Sequence, residues 1–583
     1  MTLTLTRPLT LLSICLILLY LAKTRPSKEM ESPSPKFERL LYNNPGLEVD
    51  LGVGLWANPL PMDYDNDGDM DLLVSCNDVP FNGLFFFENK SGSAFPTFEP
   101  PVKINDPIRH VQVSYVNSEP RFLEPGKEFT NFKSAFTNQP DSLFPSDTFE
   151  KLHNKIRFNQ WKYVDYENDG DLDIVVGIQD GEDYGWDNAF NDKGEWTNGP
   201  LHGYVYLIEN RDGTYKLKDK IMAGGKPIDV YGAPSPNFDD YDNDGDLDII
   251  CGEFLDRFTW FENIGTREEP VYAEGKFLKN TEGVITMDLE MILPVSIDWD
   301  KDGDIDLIVG DEDGRVAWVE NTGEIENHMP VFNSPKYFKQ KAKHVKFGAL
   351  VSPFSTDWDN DGDEDLICGN SAGYIAFIEN LDGGHTPKWA APKLLESNNE
   401  IIRIQAGENG SIQGPCEAKW GYTTLSVQDW DGDGLKDLIV NSIWGKVVWY
   451  KNIGSQNKPK LSEEKHVQVD WGSQTPKPDW YWWDPLPNSL ATQWRTTPTA
   501  IDWNQDGLTD LIMLDTEGYL SFFERYKKDG ELILKPGKRI FHSVNGTFDR
   551  KNNLVNQNNG PIQLNEKKYG SSGRRKLAFG DWD

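Results

Sequence analysis

The chain has 583 residues and a formal charge of −36, from 58 Lys and Arg against 94 Asp and Glu. At 38% hydrophobic and 12% aromatic it is neither a multi-span membrane protein nor a disordered one. No basic run interrupts the acidic excess, which excludes a nucleic-acid binder that works by neutralising phosphates.

Residues 1–22 read as a signal peptide or anchor. Arg7 precedes an apolar run from Leu9 to Ala22, and Lys23, Arg25 and a Pro/Ser-rich stretch follow it. The run suits the apolar core of a leader and is shorter than the roughly 20 residues that span a bilayer. Residues 23–45 form a linker. The expected location is secreted or cell-surface, extracellular or periplasmic, with the membrane met only through an uncleaved leader. Beyond the leader, Cys76, Cys251, Cys368 and Cys416 read as small buried hydrophobes, not as disulfide partners or ligands.

From residue 46 to residue 583 one pattern organises the chain. A nine-residue string, Asp63-Tyr-Asp65-Asn-Asp67-Gly68-Asp69-Met-Asp71, recurs with starts at Asp165, Asp240, Asp298, Asp357, Asp429 and Asp502. An eighth start, Asp581, is cut off at Asp583. Each complete string runs into a short apolar stretch, such as Asp306-Leu-Ile-Val, of strand length. An aromatic-rich strand and a turn follow, as in Trp260-Phe-Glu-Asn263-Ile-Gly265. One strand before the loop, two after it and one beyond the turn make a four-stranded unit. The expected fold is therefore all-β: a β-propeller of seven complete four-stranded blades plus the start of an eighth, with the loops on one face.

The string has the chemistry of a calcium loop. Alternate oxygen ligands suit a hard cation of six to eight ligands, and Gly at position six permits the sharp turn. Position nine supplies the last carboxylate. The expected ligands are Asp63, Asp65, Asp67 and Asp71 in the first loop, and Asp165, Glu167, Asp169 and Asp173 in the second. They continue with Asp240, Asp242, Asp244 and Asp248, then Asp298, Asp300, Asp302 and Asp306, then Asp357, Asp359, Asp361 and Asp365. The last two sets are Asp429, Asp431, Asp433 and Asp437, and Asp502, Asn504, Asp506 and Asp510. The apolar residue at position twelve (Val74, Val309, Cys368) separates these loops from EF-hands, which carry a bidentate Glu there. About seven Ca²⁺ ions are implied, and they would relieve much of the repulsion among 32 acidic residues packed into the loops.

These strings resemble the FG-GAP/VCBS repeats of integrin-alpha propellers and of many secreted bacterial proteins. The resemblance implies a calcium-binding β-propeller and leaves the activity open, because propellers host unrelated functions.

All the long insertions (92–160, 178–203, 266–292, 324–347, 383–424, 455–495 and 526–575) fall on the side opposite the loops, where binding residues concentrate. Residues seven to nine before each first Asp are expected to ring the channel mouth there: Trp56, Arg157, Tyr231, Glu290, Tyr422, Trp494, Arg495 and Arg574. With Trp480, Trp482 and Trp483 they suggest Arg clamping an anionic sugar while aromatic rings stack on it. A second aromatic insertion holds Tyr184, Trp186, Trp196 and His202. The expected function is binding of extracellular glycan, anionic polysaccharide included. One alternative is a polysaccharide lyase acting on a uronate-containing polymer, with His153, His202, Tyr231, Tyr422 and Arg495 as catalytic candidates. The other is integrin-like adhesion to a protein ligand.

Overall fold

The computed structural model describes residues 38–77, 82–130, 140–185, 189–543, 547–548, 554–556 and 560–579. The leader, Trp186 and the Asp581 start lie outside the described residues. Among the described residues the protein is all-β, with a single α-helical turn at Thr148–Leu152. No helix among them is long and apolar enough to cross a membrane.

Eight antiparallel meanders follow one another. Their opening strands are Asn58–Met62, Gln112–Val116, Ile156–Val164, Ser235–Asp239, Leu293–Ile297, Ser352–Thr356, Thr424–Gln428 and Thr499–Ile501. In seven sheets an Asp loop joins the opening strand to the second strand, so that Met62 pairs with Asp71 and Ile297 with Asp306. The second strands, such as Asp71–Cys76 and Asp306–Gly310, are buried along their whole length. That explains their unbroken apolar runs: both faces are covered by neighbouring sheets.

The second sheet carries no Asp loop. Val116 meets Glu119 across Asn117 and Ser118, both in the left-handed region with φ of 51° and 64°. This two-residue turn suits the twist of a hairpin. The stretch 92–160, expected as an insertion, thus contains a complete sheet of its own.

The cores show how the sheets are ordered. Leu73 and Leu84 of the first sheet pack with Val113 and Phe122 of the second. Leu123 of the second packs with Trp161 and Val176 of the third, and Val175 of the third with Ile249 of the fourth. Trp260 of the fourth meets Val309 of the fifth. The fifth does not continue to the sixth: Ile308 and Trp318 pack with Leu72, Val74 and Phe87 of the first. The opening strands of these five sheets enclose a cavity of about 870 Å³, lined by Met62, Ser114, Lys162, Asn237 and Ser296, one residue from each. The sixth, seventh and eighth sheets form a separate row, joined through Ile367 with Leu438 and through Ile439 with Met513.

A second relation repeats this order. In six of the seven sheets with an Asp loop, the fourth residue after the ninth-position Asp lies against the backbone just ahead of a neighbouring sheet's opening strand. Ser75 donates its hydroxyl to the Ile108 carbonyl at 2.8 Å, and Asn441 its amide to Thr496 at 2.9 Å. In four sheets the position is glycine, and a Cβ would collide: Gly177 with Pro234, Gly252 with Ile292, Gly369 with Thr423. Gly310 lies against Ala57, ahead of the first sheet.

Lys162 ties the cavity together by donating to the Asn237 side chain and, at 3.4 Å, to the Pro294 carbonyl. Burial pushes its amine down from the ordinary 10.5 to about 7. Because the folded-state value is the lower one, stability from this residue is lost as pH falls from about 10.5 to about 7. Lys162→Met is therefore expected to raise the melting temperature at pH 7, and the gain should shrink as pH approaches 10; thermal melts at the two pH values read this directly.

Cys76, Cys251, Cys368 and Cys416 are buried, and no disulfide joins them.

Candidate metal loops and a pocket at the far strand ends

Each Asp loop is shaped by its own backbone. The Gly68 N–H donates to Asp63 at 3.2 Å and Gly434 to Asp429 at 2.9 Å, closing the turn on the first carboxylate. The position-six glycines have φ between 87° and 104°, a left-handed conformation that side chains resist. Position four is left-handed too, as in Asn66, Asn168, Asn243 and Asn360, which accounts for the frequent Asn there.

The ninth Asp has a structural task the sequence did not disclose. Asp306 accepts the Trp299 N–H at 3.2 Å and the Asn321 N–H at 2.7 Å. Asp437 accepts Trp430 at 3.0 Å and Asn452 at 2.7 Å, and Asp71, Asp173, Asp365 and Asp510 do the same in their sheets. This carboxylate staples the loop to the turn between the third and fourth strands. The turn Asn continues the network: Asn263 accepts the Gly265 and Val271 N–H groups, both at 3.0 Å.

Five loops gather three carboxylates whose oxygens lie within 4.8 Å of one another, and these could hold a metal ion. They are Asp63, Asp65 and Asp71; Asp240, Asp242 and Asp244; Asp298, Asp300 and Asp302; Asp357, Asp359 and Asp361; and Asp429, Asp431 and Asp437. No such three-acid cluster forms among the described residues of the two loops with altered ligands, Glu167 and Asn504. The clusters fit a cation. Buried carboxylate oxygens of Asp63, Asp242, Asp298, Asp357, Asp359 and Asp431 have no hydrogen-bond partner, an expensive arrangement unless a cation takes the lone pairs. Burial also pushes carboxyls upward: Asp248 to about 8, Asp306 to about 7, and Asp71, Asp365 and Asp437 to about 6.

At the opposite ends of the strands lies a pocket of about 390 Å³. Lys155, Arg157, Gln179 and Tyr184 of the third sheet line it, with Phe254 and Glu312 from the fourth and fifth. The rest comes from far along the chain: Gln413, Cys416, Glu417 and Tyr422 of the 383–424 insertion, and Arg574. The insertion is anchored by the Tyr184 hydroxyl, which donates to the Gln413 carbonyl and lies 3.1 Å from the Cys416 thiol.

The expected ring of residues is brought together in part. Arg157 lies 4.8 Å from the centre of the Trp56 ring and 5.4 Å from that of Phe254. Arg495 stacks on Tyr422 at 3.8 Å, and Arg574 lies over Trp494 at 5.0 Å and donates to Gln413 at 2.9 Å. Tyr231 packs in the same apolar cluster as Tyr184 and Trp56. Glu290 is buried beside Glu312 and Glu417; burial and those neighbours push its carboxyl well up. Trp494 is 1% exposed and donates to Ser572, so it supports the site from behind.

The other aromatic candidates pack on each other. Trp482 stacks face to face on Phe190 at 3.8 Å, and Trp483 on Tyr481 at 4.8 Å. Trp480 joins them in a cluster with Trp444 and Ile443. Neither His153 nor His202 is among the residues that line the pocket. His153 bridges Asp180 at 2.7 Å and the Tyr206 hydroxyl at 2.9 Å. His202 sits between Asp229 at 2.7 Å and Asp183 at 3.3 Å. Burial pulls the His202 imidazole down, but its two carboxylate partners outweigh that and raise it.

Glu312 and Glu417 escaped the sequence reading. Among 94 acidic residues nothing marks them until burial is known. Glu312 is 7% exposed and Glu417 8%.

No protein-family model matches the chain, and no curated protein does. Among solved structures, the Photorhabdus luminescens Tc holotoxin pore is similar over 78% of this chain at 13% identity, with a TM-score of 0.18. This chain covers 19% of that one. A triple arginine-to-alanine mutant of AofleA from Arthrobotrys oligospora is similar over 64% of this chain and 88% of its own, at 9% identity and a TM-score of 0.19. Overlaps this loose carry no argument about fold or function.

Proposed function

We propose that the chain is an exported FG-GAP/VCBS-type β-propeller protein, stabilised by calcium, that binds an anionic extracellular glycan in the pocket at the far strand ends. The meanders are its blades. In place of seven blades in one ring, the reading that fits the cores is a closed ring of five, one of them without a metal loop, and a row of three more. Ca²⁺ in the Asp loops stiffens one side, and the other carries recognition.

The observation that carries the glycan reading is the make-up of the pocket. Arg157, Lys155 and Arg574 supply positive charge in a protein of charge −36. The two arginines lie over aromatic rings and Arg574 donates to an amide, which leaves guanidinium edges to meet an anion, while Arg157 also attracts the Glu312 carboxyl. Tyr184, Phe254 and Tyr422 supply apolar wall. A uronate unit offers a carboxylate for the arginines and a ring face for the aromatics.

Affinity electrophoresis of the calcium-loaded protein in gels cast with polygalacturonate, alginate or a neutral glucan tests this. Retardation by a uronate polymer and not by the glucan is expected. Arg157→Ala with Arg574→Ala should weaken it tenfold or more, since a charge-assisted hydrogen bond is worth about 1.5–3 kcal/mol. Equal migration in all three gels would overturn the reading.

A further inference from the structure

The pocket holds two buried carboxyl groups in unlike surroundings. Glu312 lies where burial pushes its carboxyl well above the usual range, against the pull of the Arg157 guanidinium. The nearby carboxyl of Glu417 acts on it in the same upward direction. Burial thus favours the protonated form of Glu312. Glu417 is surrounded by donors: the Ser411 hydroxyl at 2.6 Å, the Tyr422 hydroxyl at 2.8 Å and the Gln413 amide. Three donors to one carboxyl are the surroundings of a carboxylate, because an ionised carboxyl is an acceptor only. A buried carboxyl favoured in its protonated form and a carboxyl held by three donors on one small pocket are the two parts that cleavage of a glycosidic bond by water requires. Behind them Glu290, 2% exposed and with one carboxyl oxygen unpartnered, adds a third acid that discourages a second negative charge at Glu312.

Elimination fits the pocket less well. Its usual base would be a neutral imidazole or phenolate at the sugar. His153 and His202 are bound to carboxylates outside the lining, and burial beside Glu417 pushes the Tyr422 phenol well up.

We propose that this pocket hydrolyses the glycan it binds, with Glu312 as the proton donor and Glu417 as the base; the proposal rests on the glycan reading above. Glu312 passes its proton to the bridging oxygen as the bond from that oxygen to the anomeric carbon breaks. A water molecule forms the new bond to the anomeric carbon and gives its proton to Glu417. One water is consumed, two chain ends appear, and solvent returns the proton from Glu417 to Glu312. Arg157 and Arg574 hold the substrate's carboxylates and take no part in the proton transfers.

The test uses the full calcium-loaded chain with polygalacturonate, alginate and glucuronoxylan. New reducing ends and the ultraviolet absorbance of unsaturated ends are followed together, with gel retardation on the same samples. The expected result is a rise in reducing ends from one polymer without the ultraviolet band. Glu312→Gln and Glu417→Gln should each lower the rate at least about 100-fold while keeping retardation, which shows that the variants fold and bind. Retardation without new reducing ends overturns hydrolysis and leaves binding standing. An ultraviolet band growing in step with the reducing ends overturns it in favour of elimination. Full activity in Glu312→Gln overturns the assignment of the donor. Neither retardation nor cleavage with any polymer overturns the glycan reading and this proposal together.

Discussion

Gly310→Val is expected to cost roughly 3 kcal/mol or more and to open the five-sheet cycle. A side chain at this position would be driven into the Ala57 carbonyl and the Pro59 ring, which belong to the backbone of the first sheet and cannot swing aside. The two sheets meet through Leu72, Val74, Ile308 and Trp318, all buried, so separating them exposes the core they share. Gly384→Val is the control. Its nearest neighbour would be the Asp382 carboxylate at 3.7 Å, and its effect should stay within about 0.5 kcal/mol. Denaturant melts of the two variants beside the parent measure the difference. Equal stability of all three would mean that the fifth sheet does not close on the first.

Chelation is expected to have the larger effect on the whole chain. A site filled at a hundredfold excess over its Kd adds about 2.7 kcal/mol. Five three-carboxylate loops filled in this way add on the order of 13 kcal/mol, which for a chain of this size lowers the melting temperature by about 10 °C once the metal is removed. The chelated protein should also acquire a pH dependence of definite sign. Asp248, Asp306 and Asp437 have folded-state values raised by burial to about 8, 7 and 6, so the folded state holds their protons more tightly than the unfolded chain. That stability is present in full below the ordinary carboxylate range and is lost as pH rises through 6 to 8. Without calcium the protein should therefore melt lower at pH 8 than at pH 5. With calcium the order should reverse, because protons then compete with the cation. Melting curves at both pH values, with calcium and with chelator, measure it.

The Asp loops, the strands on either side of them and the all-β character were legible because one string repeats with its internal spacing intact. The second sheet was not, because a turn of Asn117 and Ser118 replaces the string and nothing else in the unit repeats. The order of the sheets was hidden for a different reason. Beyond Gly310 the next opening strand in the chain carries Pro353 at its second position, and the first opening strand carries Pro59 at the same place. The sequence offers two equal mates, and only packing chooses the first sheet. The pocket was half legible. Counting back from the loops found Arg157, Tyr422, Arg495 and Arg574, since the register of the opening strands is fixed by the loops. Glu312 and Glu417 come together only because residues 383–424 fold back onto sheets far earlier in the chain, with Tyr184, 229 residues before Gln413, as the anchor. His153 and His202, named as catalytic candidates for a lyase, came from no such count. The strands Asp173–Asp180 and His202–Arg211 are longer than in other sheets, and they carry Asp180 and Tyr206, the partners of His153, and His202 itself.

Equilibrium dialysis against calcium, with the bound metal counted per chain, tests the central claim most directly. Between about five and seven ions per chain are expected. Asp298→Ala, which removes a carboxylate from one cluster, should lower the count by one. A chain that holds no calcium at millimolar free metal, and melts at the same temperature with chelator as without, would contradict the account.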